Sequence, residues 1–487
     1  MKNMGRSMLF CFLAVGSAVA QNSADAVIGE ALKPSALESN LQRLTDEVGG
    51  RVPGTPAMQR AVSWGEEAFK AAGADSVHTE TFSIPTSWAE GATHMAVVAP
   101  ERFNVRAISI GWAPALAAQQ HVRMVDVAGG TADDFEKAGS LSGAILLVHS
   151  EEMKTWEDLF AEYLRAPGII DRAVKAKALA IAFQSTRPHD LMYRHTNTDD
   201  GRIDRLPMVL VAREDAARMA RLMATGQKLY ADVAIPNKIG GPIQTSNVVA
   251  ELRGGEKSDE FVVLGAHLDS WELGTGALDN GCNAALVIDA LRAIKASGQR
   301  PKRSIRFILF SGEEQGLLGS HAYALAHRNE LDKAAGVVVI DSGIGKVTGF
   351  ATGGRKDVLP AVSKLVAPLQ QFDANGLTTD AEWGTDHFDF MLQGVPTFVA
   401  NQEEGNYLIN YHAESDTFDK VDIGELKKHV AETAALAFAL ADDPERVGPR
   451  LHHDQIEETM RETHLDQLMK TFGMWDAWQQ GKLGRPD

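Results

Sequence analysis

The sequence contains almost no cysteine and no long apolar run. Only Cys11 and Cys282 occur among 487 residues, and Cys11 lies in a segment that we expect to be removed. A disulfide within the mature chain is therefore excluded. No apolar run reaches the roughly 20 residues that a membrane-spanning helix needs. The sequence also lacks any Asn-x-Ser/Thr acceptor, which is compatible with a bacterial envelope or secreted protein.

Basic residues are scarce relative to acidic ones. The chain has 48 Lys and Arg against 65 Asp and Glu, a formal net charge of −17. Loss of Lys2 and Arg6 with a leader would leave 46 basic residues and a charge of −19. This acidity argues against nucleic acid or an anionic membrane as a partner. Apolar residues make up 44% and charged residues 23%, as is typical of a soluble globular protein.

The first twenty residues predict a secretory signal peptide at 1–20. Lys2 and Arg6 precede an apolar run from Met8 to Val15, and Ala18-Val19-Ala20 provides small residues for cleavage. The run is too short for a membrane anchor. Cys11 lacks the preceding small residues that a lipoprotein signal needs. We therefore expect an exported protein, periplasmic or secreted, with no membrane anchor.

The chain is longer than one hydrophobic core normally organises, and its pattern changes along its length. Short strands such as HVRMVDV and SGAILLVHS predict an inserted β-rich domain at 119–239. The main domain is then discontinuous, at 21–118 and 240–445. A charged amphipathic stretch predicts a helical C-terminal tail at 446–487.

From Ser246 onward, strands and helices alternate. SNVVAEL, FVVLGAH, SIRFILF and GVVVID are apolar runs of strand length with helical segments between them. This alternation predicts an α/β fold with a mainly parallel mixed sheet covered by helices. Ligands of such sheets bind at the carboxyl ends of the strands.

Polar residues occur where these strands end. Imidazole and carboxylate together suit zinc, and a catalytic zinc site keeps one position open for water. The candidates are His267, Asp269, Asp279, Glu313, Glu314, Asp341 and His412.

Two histidines and three carboxylates are too few for two separate metal sites, so one carboxylate must bridge. Two metals about 3.5–4 Å apart can share a water, and Asp279 is the natural bridge. The adjacent Glu313 and Glu314 must point differently, so one can bind metal while the other meets the water. Asp269, two residues after His267 on extended backbone, lies on the same side and could fix the imidazole.

Each of these residues alone has an ordinary structural explanation. His267 could cap a strand, Asp341 could cap a helix, and Glu313-Glu314 could be an acidic helix start. Their joint occurrence in separate segments favours a metal centre.

Other polar residues carry no partner motif. We expect His189, His195 and His452-His453 at the solvated surface. Cys282 has no base in a cysteine-protease pattern, so a small packed residue near the metals is expected. GTGALDNG lacks the Lys-Ser/Thr ending of a phosphate loop, which favours a tight turn.

Several ordered motifs resemble the co-catalytic di-zinc aminopeptidases, and within that family the branch containing carboxypeptidase Q. The motifs are AHLDSWELGTGALDNG, SGEEQGLLGS, VVVIDSG, GTDHFDFMLQGVP and NYHAESDT. The resemblance covers roughly residues 36–440 and is strongest in HLDSWELGTGALDNG. It implies the zinc exopeptidase fold with a protease-associated domain inserted, as residues 119–239 suggest.

The resemblance also implies two zinc ions per chain and a role for each candidate. One zinc would take His267, Asp279 and Asp341. The other would take Asp279, Glu314 and His412, with Glu313 as general base and acid. A cis peptide following Asp279 is also implied. Tyr411 is implied as a donor to the developing oxyanion, although it could equally be a packing residue, and His387 as a cleft residue.

The function implied is hydrolysis of terminal peptide bonds in dipeptides or short peptides by a di-zinc-activated water. The carboxypeptidase Q branch favours a dipeptidase or carboxypeptidase, and the wider family an aminopeptidase. An aminopeptidase needs a carboxylate for the substrate ammonium, whereas a carboxypeptidase needs a cation or oriented donors. The sequence places neither group.

Two distant alternatives are a single-zinc cyclase on the same fold and a non-catalytic receptor-like module. The complete set of ligands and the base disfavour both. The family also allows a homodimer.

Overall fold

The structure is a computed structural model that describes residues 23–486. The predicted signal peptide and Cys11 lie outside these residues. No helix within 23–486 is both long and apolar enough to cross a membrane.

Eighteen strands occur within residues 23–486. They are β1 (Ser76–Ile84), β2 (Trp88–Ala89), β3 (His94–Ala99), β4 (Phe103–Val105), β5 (Ala107–Ser109), β6 (Leu116–Asp126), β7 (Ile145–Val148), β8 (Ala180–Gln184), β9 (Met208–Val211), β10 (Tyr230–Ile235), β11 (Lys238–Ile239), β12 (Ile243–Leu252), β13 (Lys257–His267), β14 (Arg303–Phe310), β15 (Ala334–Val339), β16 (Val347–Ala351), β17 (Gly376–Thr378) and β18 (Thr397–Gln402).

The α-helices of the same range begin with α1 at residues 23–31. The others are α2 (Leu37–Gln42), α3 (Pro56–Ala72), α4 (Ala132–Lys137), α5 (Trp156–Lys175), α6 (Arg213–Ala224), α7 (Cys282–Ala296), α8 (Leu318–Ala326), α9 (Leu359–Leu365), α10 (His387–Leu392), α11 (Tyr407–Asn410), α12 (Ile423–Asp442), α13 (His453–Glu462), α14 (Leu465–Thr471) and α15 (Trp475–Gln479).

The main sheet has eight strands in the order β1-β12-β14-β13-β15-β18-β16-β17. Its centre is parallel, because β13 pairs in parallel with β14 and β15, and β15 with β18. The central strands are almost wholly buried, since helices cover both faces of a parallel sheet. The edge strand β1 pairs antiparallel with β12, from Ser76 opposite Glu251 to Ile84 opposite Ile243. The predicted α/β fold with a mixed, mainly parallel sheet is confirmed.

The largest apolar core lies between the main sheet and helices α3, α7 and α12. Leu286 of α7 and Leu436 of α12 are wholly buried within it. Helix α7 directly follows Asp279, so packing of this core fixes the start of the helix beside the sheet.

A second sheet is formed by strands in the order β4-β3-β10-β6-β7-β8-β9-β5. We call residues 94–235 the second-sheet region. The strands predicted within 119–239 lie in it, together with β3, β4 and β5 from earlier in the chain. The division of the chain into domains stays a prediction.

The C-terminal helices α13–α15 pack through a buried apolar cluster against Leu317 and against Phe388 of α10. Trp478 is wholly buried in this cluster. The expectation that His453 is solvated is wrong. Its ring stacks on Trp478 with 4.1 Å between the ring centroids, because α13 packs against α15.

Glu432 is a buried carboxylate on α12. It is 1% exposed, and its Oε2 has no hydrogen-bond partner among the described residues. Burial, with a contribution from Glu425, raises the pKa of Glu432 from 4.5 to about 8. The folded chain therefore holds a proton that the unfolded chain loses near pH 4.5. The stability linked to that proton is lost as the pH rises toward 8.

We predict that Glu432→Gln, which is neutral at every pH, stabilises the protein increasingly as the pH rises from 5 to 8. The expected gain at pH 8 relative to pH 5 is about 2–4 kcal/mol, because each unit by which the folded and unfolded pKa values differ corresponds to about 1.4 kcal/mol. Urea unfolding at both pH values measures it, with the exposed Glu38→Gln as the control. An equal effect of Glu432→Gln at pH 5 and pH 8 would contradict the assignment.

Candidate metal centre

The predicted metal-binding residues meet at the carboxyl edge of the main sheet. Strand β13 ends at His267, and it lies between β14 and β15. Glu313 and Glu314 follow β14, and Asp341 follows β15. Because the three parallel strands are neighbours, these side chains reach one place.

Asp279 lies between the two histidines. One of its oxygens, Oδ1, is 3.2 Å from His267 Nε2, and the other, Oδ2, is 3.3 Å from His412 Nε2. Asp341 Oδ1 is also 3.2 Å from His267 Nε2. Glu314 Oε2 is 2.9 Å from His412 Nε2. The arrangement is two pairs of ligand atoms that share one aspartate.

These distances fit bound metal. Two atoms that each lie about 2.1 Å from one tetrahedral zinc are about 3.4 Å apart, close to the separations found here. Asp279 Oδ2 and Glu314 Oε1 are buried and have no hydrogen-bond partner among residues 23–486. Burial lowers the pKa of His412 to about 4, which leaves the neutral imidazole that a metal requires.

Glu313 and Glu314 diverge, as adjacent residues must. While Glu314 faces His412, Glu313 lines the cleft beside the other histidine, with its Oε2 4.0 Å from His267 Nε2. Burial, together with the neighbouring carboxylates of Asp341 and Glu314, raises the pKa of Glu313 well above its usual range.

Asp269 fixes both glutamates through their backbone. Its carboxylate accepts the N–H of Glu313 at 3.2 Å and the N–H of Glu314 at 3.3 Å. The carboxylate is 3.7 Å from His267 Nδ1. The closer partner of that nitrogen is the backbone carbonyl of Asp269, at 3.0 Å. Asp269 therefore orients the imidazole through its main chain and the glutamates through its side chain.

Two further residues hold the loop that carries Asp279, and the sequence analysis did not select either. Arg51 is wholly buried and donates to the carbonyls of Leu268, Thr275 and Gly276 at 2.6, 2.7 and 2.9 Å. Asp416 accepts the N–H of Leu278 at 2.7 Å and the N–H of Asp279 at 3.1 Å. Both residues were visible in motifs, Arg51 in GGRVPG and Asp416 in NYHAESDT, but neither lies at a strand end.

The peptide between Asp279 and Asn280 is cis, as the family resemblance implies. Asn280 donates to the carbonyl of Ile340 at 3.0 Å. This bond ties the Asp279 loop to the end of β15, next to Asp341.

Tyr411 lies in the cleft and His387 does not. The Tyr411 ring stacks on His412, with 3.7 Å between the centroids, and lines the cleft. His387 begins α10 and is 1% exposed, with Nδ1 unpartnered among the described residues. The cleft is lined instead by Trp383, Gly384 and Thr385, just before the helix.

The cleft beside the metal centre has a volume of about 810 Å³. Helix α5 of the second-sheet region and the C-terminal helix α14 contribute apolar walls, including Phe160 and Leu468. His195 also lines the cleft and is buried, so the expectation that it is solvated is wrong. The second-sheet region therefore contributes one wall of the cleft beside the metal centre.

The cleft is acidic beyond the metal centre. Four further carboxylates line it, whereas no Lys or Arg of residues 23–486 does so. The four are Asp199, Glu382, Glu403 and Glu404.

We predict that Arg51→Lys destabilises the metal-free protein by about 3 kcal/mol or more. A lysine cannot reach all three carbonyls, and each buried acceptor left unpaired costs about 1–3 kcal/mol. Urea unfolding of the metal-free protein measures this effect. The exposed Arg43→Lys is the control, with an expected change within about 0.5 kcal/mol. Equal stability of the two variants would contradict this role of Arg51.

Comparisons with known proteins relate the chain to peptidases. Residues 247–437 match the model of peptidase family M28. Carboxypeptidase Q from Mus musculus is 27% identical over 405 residues, which cover 82% of this chain and 84% of that protein.

Solved structures extend the similarity to the fold. A peptidase M28 precursor from Shewanella amazonensis SB2B is 26% identical with a TM-score of 0.80, and the match covers 90% of this chain and 100% of that one. A zinc aminopeptidase from Bacillus subtilis is 19% identical with a TM-score of 0.65, covering 86% and 97%. The resemblance predicted from the motifs is thereby confirmed: the chain is a metallo-exopeptidase, and its residues 247–437 are similar to peptidase family M28.

Proposed function

We propose that the chain is a zinc-dependent exopeptidase that hydrolyses terminal peptide bonds of dipeptides or short peptides, in the manner of carboxypeptidase Q. The observation that carries this proposal is the position of Asp279, whose two oxygens face two different histidines at 3.2 and 3.3 Å. A shared carboxylate of this kind is what a two-metal site needs.

His267, Asp279 and Asp341 are proposed to hold one zinc ion. Asp279, Glu314 and His412 are proposed to hold the other. Two imidazoles among the ligands favour zinc over magnesium or calcium, which prefer oxygen alone. When bound, the zinc pair would lower the pKa of a water and polarise the scissile carbonyl.

Glu313 is proposed to move the proton. Its raised pKa and its position on the cleft suit a group that takes a proton from the attacking water and returns it to the leaving amine. The water oxygen bonds to the carbonyl carbon, and the peptide C–N bond then breaks. Asp269 holds Glu313 in place during both transfers.

The Tyr411 hydroxyl is proposed to donate a hydrogen bond to the developing oxyanion. Burial raises the pKa of Tyr411 well above its usual range, so the hydroxyl keeps its proton.

Export through the N-terminal leader and a homodimer stay predictions from sequence.

We predict that Glu313→Gln keeps two zinc ions per chain but lowers kcat/KM about 100- to 10,000-fold, the usual contribution of a general base. Elemental analysis and dipeptide hydrolysis measure the two quantities. The exposed Glu38→Gln is the matched control, with unchanged zinc content and activity. A wild-type protein that binds no zinc, or that stays inert after zinc is added, would contradict the proposed function.

An aminopeptidase acting at the same site is the second candidate, and the acidity of the cleft favours it. The substrate ammonium would be attracted by the carboxylates of Asp199, Glu382, Glu403 and Glu404. A terminal carboxylate would meet no Lys or Arg among the described residues that line the cleft. Oriented donors such as Asn197 and Asn401, which also line the cleft, are the alternative for a carboxylate.

We predict that blocking the substrate amine costs more activity than blocking its carboxylate if the aminopeptidase reading holds. The assay compares one dipeptide with its N-acetyl and C-amide forms. Loss of a charged contact is worth about 1.5–3 kcal/mol, or about 10- to 100-fold in kcat/KM. A larger loss for the C-amide would instead support the carboxypeptidase reading.

A further inference from the structure

The two histidines of the metal centre are supported by different parts of the chain. His267 is oriented by the chain that directly follows its own strand, because its Nδ1 contacts the backbone carbonyl of Asp269 two residues later. His412 lies on a loop after α11, and the partners of that loop come largely from the second-sheet region.

We propose that the second-sheet region positions the metal ligand His412, and that Tyr163 is the residue that orients its imidazole. This inference rests on the proposed function, since it concerns the zinc ion assigned to Asp279, Glu314 and His412.

A backbone clamp forms the first part of this support. The N–H of Arg194 donates to the carbonyl of His412 at 3.0 Å, and the N–H of Glu414 donates to the carbonyl of Met192 at 3.0 Å. Between them, Tyr193 and Ala413 form an antiparallel bridge. His412 has a φ of +59°, a conformation uncommon for a residue with a side chain. The clamp therefore holds the ligand in a backbone conformation that it would rarely adopt alone.

Side-chain packing forms the second part. One apolar cluster joins the start of α5 to the segment around His412. It contains Met153, just before α5, and Trp156 and Leu159 of its first turn, together with Leu408 and Tyr411.

Arg187 adds a polar contact to the same loop. This wholly buried residue donates to the carbonyl of Tyr411 at 3.3 Å, and its guanidinium lies over the Tyr193 ring. The loop is thus held both through its backbone and through its apolar side chains.

Tyr163 forms the third part and acts on the imidazole itself. Its hydroxyl oxygen is 3.5 Å from His412 Nδ1, while Nε2 faces Asp279 and Glu314. A histidine that binds metal through Nε2 carries its proton on Nδ1, and that N–H donates to a group which orients the ring. Tyr163 is the side chain of the described residues that is placed to accept it.

The test measures zinc affinity in the absence of substrate, because Tyr163 also lines the cleft. Tyr163→Phe keeps the ring in its apolar cluster and removes only the hydroxyl. Zinc is titrated into the metal-free protein against a chromophoric chelator. The expected result is about 10- to 100-fold weaker binding of one zinc equivalent, the usual effect of losing such a partner, with the other equivalent unchanged.

Tyr230→Phe is the matched control, because it removes a hydroxyl from the same region on β10, where the ring stacks on His121 away from His412. Its zinc binding should equal that of the wild type. Arg187→Lys is a second variant that loses the guanidinium whose Nη2 donates to the Tyr411 carbonyl, and it should weaken the same zinc equivalent.

Three outcomes would overturn the inference: wild-type affinity in Tyr163→Phe, equal weakening of both zinc equivalents, or the same weakening in Tyr230→Phe. Failure of the wild-type protein to bind two zinc ions would instead overturn the proposed function. The two failures are therefore distinguishable.

Discussion

Negative charge gathered in a buried space is the constraint on which the rest of this structure depends. Asp279, Glu314 and Asp341 converge there with Glu313 beside them, and oxygens of Asp279 and Glu314 have no hydrogen-bond partner among the described residues. Such a cluster is costly unless cations balance it. Arg51 lies close by, but its donors are used by backbone carbonyls. Arg51 thus shapes the loop, and the carboxylate oxygens without a hydrogen-bond partner are left available for metal.

The cluster explains why so much of the chain serves to hold a few side chains. Three parallel strands bring His267, Glu313 and Asp341 to one edge, and this placement follows from the register of the sheet. Asp279 and His412 lie on loops, so they need separate support. That support comes from buried polar groups whose bonds go to main-chain atoms. Loops held in this way gain rigidity from groups far away in the sequence.

The sequence predicted what depends on local pattern. Buried apolar strands followed at once by acidic residues or histidine predicted both the sheet and the metal-binding edge, because strand ends are set by short-range sequence. Arg51 and Tyr163 were missed for the opposite reason. Arg51 contacts residues more than 200 positions later, and Tyr163 approaches a residue 249 positions away. His195 was expected at the surface because its own neighbours are polar, and only the tertiary fold buries it.

The path of the chain between β1 and β12 has a consequence of its own. Ile84 and Ile243 face each other at the end of the pair, and β2 and β11 continue it with a short antiparallel contact. The chain therefore leaves the main sheet for the second-sheet region, and returns from it, through strands that pair with each other. A region attached through such a stem can be lengthened, shortened or exchanged during evolution without shifting the main sheet's register. The surface of the second-sheet region that contacts the His412 loop limits such exchange. The sequence of the region should therefore vary most on the faces that point away from this loop.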